Sequence, residues 1–80
     1  MDCHQALEQL RSKLESSFGK ALSMMILATA SNATGVSTVS LTQGDFERLA
    51  EAICGDQRVV DMWGVAGASE TATQWRQLVA

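Results

Sequence analysis

Two short amphipathic segments with only a tight turn between them leave this chain little choice of fold. The segment 41–64 reads Leu41-Thr-Gln-Gly-Asp-Phe-Glu-Arg-Leu-Ala-Glu-Ala-Ile-Cys-Gly-Asp-Gln-Arg-Val-Val-Asp-Met-Trp-Gly64. Thr42 and Asp45 have the spacing of a capped helix start, with a carboxylate set among unpaired N–H groups. Phe46, Leu49, Ala50 and Ile53 follow at i, i+3, i+4 and i+7, a single apolar stripe. Gly55 stops this helix, Asp56 caps a second, and Val59, Val60 and Trp63 form the second helix's inward face. Gly64 supplies a left-handed stop. The pattern predicts a helical hairpin over 43–63, and the chain around it reads as a small, mostly α-helical bundle.

Leu49, Ala50, Ile53, Val60 and Trp63 together give this hairpin a resemblance to the helix-turn-helix of phage Cro- and repressor-type DNA-binding proteins. In that family a small residue, here Ala50, lets the helices cross closely. Apolar residues ten and thirteen positions later, here Val60 and Trp63, anchor the second helix. The family usually has glycine where this chain has Cys54 and an apolar residue where it has Gly55. The resemblance implies a transcriptional regulator with Gln57, Arg58, Asp61 and Met62 on the groove-facing side.

Charge opposes that use. Between 42 and 64 lie Asp45, Glu47, Glu51, Asp56 and Asp61 against Arg48 and Arg58, whereas residues 1–40 are neutral. The whole net charge of −3 therefore sits where DNA would dock. Phosphate neutralisation by Lys and Arg supplies most non-specific DNA affinity, and two arginines supply little.

Eighty residues make one small domain or one protomer of an oligomer. A chain this short buries roughly 60% of its unfolded surface, which leaves a monomer marginal. The N-terminal part predicts one kinked helix, or two, over 2–30. Leu7, Leu10 and Leu14, extended by Cys3, Ala21, Met24 and Ala28, form a heptad-like stripe that Ser17 interrupts. Gly19 costs about 1 kcal/mol in a helix interior, and a break there is the favoured reading. Residues 20–30 are apolar nearly all round but far shorter than the roughly 20 residues that cross a bilayer. The acidic Asp2 and Glu8 ahead of them do not suit a signal peptide. These features predict a homodimer, with Leu7, Leu10, Leu14, Met24, Met25 and Trp75 at a dimer or partner interface. The methionines are soft side chains suited to contact.

Ser31-Asn-Ala-Thr-Gly35 reads as a loop, and Val36-Ser-Thr-Val-Ser-Leu41 as one short strand or an extended linker. Val65-Ala-Gly-Ala68 reads as a connector. Ser69 reads as the cap of a last helix over 69–79, with Ala72, Trp75, Leu78 and Val79 on one face.

No catalytic signature is visible. His4 is the only histidine, and Cys3 and Cys54 lack C-x-x-C spacing. A Cys3–His4–Cys54 metal site would need a fourth ligand, and no cofactor is indicated. Two lone thiols and a pI near 4.8 suit a cytoplasmic protein with no membrane habit. The expected function is binding to a protein, as an adaptor or as an inhibitor of the small acidic kind found among phage anti-defence proteins. A Cro-like regulator is the alternative.

Overall fold

Gly19 sets the course of the N-terminal half. The computed structural model describes residues 2–37 and 39–80, and in it the first helix, α1 (Cys3–Phe18), ends at this glycine and the second, α2 (Lys20–Thr34), starts from it. Its φ of 81° and ψ of 166° lie in a region essentially closed to residues with a Cβ. Its N–H still donates to the Glu15 carbonyl and its carbonyl still accepts from Ser23 N–H, so the corner turns without orphaning the backbone.

The turn folds α2 back beside α1 and decides what covers the leucine stripe. Ala6, Leu7, Leu10 and Leu14 pack in one core with Ile26, Leu27 and Ala30 of α2 and with the helices beyond. Leu7, Leu10 and Leu14, expected at an interface, are thus buried inside their own chain, and Trp75 joins them there. The leucine part of the heptad stripe is covered intramolecularly because the break at Gly19 supplies a second helix within reach, whereas Ala21, Met24 and Ala28 stay exposed.

α2 runs four residues beyond the expected boundary at 30. Ile26, Leu27 and Ala30 hold it on the core, and the Thr34 hydroxyl donates to the Ala30 carbonyl at 2.8 Å. The polar stretch 31–34, expected as a loop, is therefore the helix's last turn, closed by Gly35 N–H donating to the Ser31 carbonyl. Val36 is buried against the bundle. Among the described residues no strand forms, and the segment 36–41 includes Thr38, which lies outside them.

The third helix, α3 (Gln43–Cys54), begins with a full capping box: Thr42 Oγ1 accepts from Asp45 N–H, and the Asp45 carboxylate accepts from Thr42 N–H. Phe46, Leu49, Ala50 and Ile53 are completely buried. Burial of each of the three larger side chains stabilises the fold by about 1.5–3 kcal/mol. α3 lies between α2 and the fourth helix, α4 (Gln57–Leu78), reached through Gly55 and Asp56.

α4 is two arms, 57–63 and 65–78, meeting at Gly64 with φ 78° and ψ 162°. The expected stop at Gly64 is thus a corner, and helix resumes at once through the alanine-containing 65–68, expected as a connector. Ser69, expected as a cap, lies inside the second arm. Ala68, Ala72 and Trp75 face the core, and the buried Thr71 hydroxyl is satisfied by the Gly67 carbonyl at 2.8 Å.

The corners at Gly19 and Gly64 have nearly the same backbone, and each follows an aromatic residue. The rings of Phe18 and Trp63 meet at 5.8 Å between centroids, and Trp75 meets Trp63 edge-on at 6.0 Å. Trp63 Nε1–H donates to Ser17 Oγ at 3.0 Å, so the polar interruption of the leucine stripe is the partner of an indole 46 residues later. Lys13 Nζ lies 5.2 Å from the Trp63 ring centroid.

Candidate functional site

The α3–α4 pair presents an acidic surface whose cations are already engaged. Asp56 caps α4 by accepting from Arg58 N–H at 2.9 Å. The same carboxylate takes the Arg58 guanidinium in a two-pronged grip, Nε to Oδ1 at 3.0 Å and Nη2 to Oδ2 at 2.7 Å. That guanidinium holds the Asp56 carboxyl below its ordinary range. Arg48 does the same for Asp45, to which it is ion-paired. Arg76 reaches back to Glu51 at 3.2 Å. Gln57 Nε2 donates to Asp61 Oδ1 at 2.7 Å. Of the residues expected to contact a groove or partner, Gln57, Asp61 and Met62 are exposed and Arg58 is half-buried. Reading DNA with Gln57 and Arg58 would require both to exchange existing partners, on a surface with a surplus of carboxylates. Charge-assisted, two-pronged pairs are the strong ones to break.

The outer side of α2 adjoins this surface, since Arg58 Nη2 donates to Thr29 Oγ1 at 3.4 Å, but it is chemically distinct. No charged residue occurs between Lys20 and Asp45. The outward face of α2, made of Ala21, Met24, Met25, Ala28, Thr29 and Asn32, therefore bears no charge of its own, and the Arg58 guanidinium reaches its edge at Thr29. Met24 and Met25 are 60% and 58% exposed. A groove of about 360 Å³ runs along one margin of this face, where α2 meets α1. Leu14 and Leu27 line it with Met24 and Ala28, and Arg11, Glu15 and Lys20 bring charges to it.

No protein-family model, curated protein or solved structure matches this chain. Its function is therefore read from these two surfaces.

Among the described residues, no helix is long and apolar enough to cross a membrane, and no three of His, Cys, Asp and Glu gather as metal ligands would. Burial pushes the Cys54 thiol up to about 11, which keeps it protonated and unreactive at neutral pH. Of the six residues expected at an interface, Met24 and Met25 alone are accessible. Leu7, Leu10, Leu14 and Trp75 are core. The sequence reading missed Arg11, Glu15, Lys20 and Ala28, which come together only once the chain turns at Gly19. One readable signal was available: the uncharged run after Lys20 in an otherwise acidic chain.

Proposed function

We propose that this chain is a non-enzymatic, cytoplasmic protein-binding module, an adaptor or an inhibitor, that engages its partner through the outward face of α2. The observation that carries the reading is the exposure of Met24 and Met25 on an uncharged helix face of a protein with net charge −3. Apolar side chains held in water are a reserve of binding free energy at about 25 cal/mol per Å² removed from solvent. Unbranched methionines adapt to a partner's shape without strain. The acidic α3–α4 surface complements this face by repelling nucleic acid and other acidic proteins and by steering basic ones. Small size and acidic surface are also the attributes of phage anti-defence inhibitors, and that analogy fits an inhibitor as well as an adaptor.

Self-association belongs to the same proposal, since two chains of charge −3 repel least where neither is charged. A single helix of 15 residues is about 22 Å long. That suits a weak dimer, because stable interfaces need about 800 Å² from each partner.

Co-purification of the tagged chain from its host tests the reading. A protein should be retained by the wild type and lost with Met24→Glu plus Met25→Glu, a change at two exposed positions that leaves the core intact. Recovery of DNA fragments in place of protein, lost on Arg58→Ala, would replace it with the Cro-like regulator.

A further inference from the structure

We draw no further inference here: the strongest candidate, the groove between α1 and α2 beside the exposed Met24 and Met25, is an unpartnered apolar surface, and nothing in the structure shows what covers it.

Discussion

Replacing Gly64 by alanine should destabilise the protein, and replacing Gly44 by alanine should stabilise it. At Gly64 an added Cβ meets nothing within 4 Å, so no clash contributes. The cost is conformational. A φ of 78° with ψ of 162° is a region that residues other than glycine occupy only at about 1–3 kcal/mol. Against this, alanine restricts the unfolded chain and returns about 0.4–1 kcal/mol. The net expectation is a loss of about 1–2 kcal/mol, a large share of a small domain's stability of about 5–15 kcal/mol. Gly19 shares the backbone geometry and the open surroundings, so Gly19→Ala should lose a similar amount. Gly44 lies in the first turn of α3 with ordinary φ and open space around it, and there alanine should gain up to about 1 kcal/mol. Urea melts followed by circular dichroism read all three, with unchanged m-values showing that only stability has moved. Tryptophan emission in the same melts reports the corner, since a straightened α4 would separate Trp63 from Trp75. A Gly64→Ala variant as stable as wild type, with unchanged emission, would refute the account of the corner.

Leu10→Asp places a carboxylate where a side chain is fully buried in its own protomer. The expected result is loss of about 3 kcal/mol or more and an unfolded chain by circular dichroism; a folded monomer derived from a dimer would instead put Leu10 at a seam between chains. Acid titration reports the Asp56–Arg58 grip. Because the folded Asp56 carboxyl is held below its ordinary value near 4, the grip's stabilisation is present above that value and is lost as pH falls through the lowered one. The difference between wild type and Arg58→Ala in urea melts should be constant from pH 7 to about 5 and should close below about 4. Ellman's reagent at pH 8 should label Cys3 quickly and Cys54 only as fast as the protein opens, given the Cys54 thiol's rise to about 11; two equally fast thiols would contradict its burial.

The sequence announces those features whose signals are local. Thr42 and Asp45 name the start of α3 because both halves of a capping box lie within four residues. Phe46, Leu49, Ala50 and Ile53 name its buried face because a helix repeats every 3.6 residues. Gly55-Asp56 and Gly64 are read correctly as breaks for the same reason. Composition misleads at 31–34 and 65–68, where polar or small residues suggest loops but burial of Ile26, Leu27 and Ala30 on one side and of Ala68 and Ala72 on the other holds them helical. The covering of Leu7, Leu10 and Leu14 was not legible at all. A heptad stripe is the same whether its cover comes from a second chain or from a helix folded back at Gly19. Likewise Arg76 meets Glu51 and Ser17 meets Trp63 only because α4 turns, and no spacing rule links residues 25 or 46 apart. The groove belongs to this class: Arg11 on α1 and Lys20 on α2 are ordinary surface cations until the corner brings their two helices side by side.

The meeting of Phe18 with Trp63 also has a meaning in time. Most helix contacts here join neighbours along the chain, α1 with α2, α2 with α3, and α3 with α4, and such contacts form early at little entropic cost. Bringing Ser17 and Phe18 onto Trp63 instead closes a loop of about 46 residues, a cost of about 3 kcal/mol in chain entropy before any contact is gained. The docking of one glycine corner on the other is thus the late step of folding. Phe18→Leu should accelerate unfolding and leave the folding rate almost unchanged, whereas Val59→Ala, inside the early α3–α4 pair, should slow folding. Stopped-flow tryptophan fluorescence would measure both; equal slowing of folding by the two would place the closing of the corners in the nucleus.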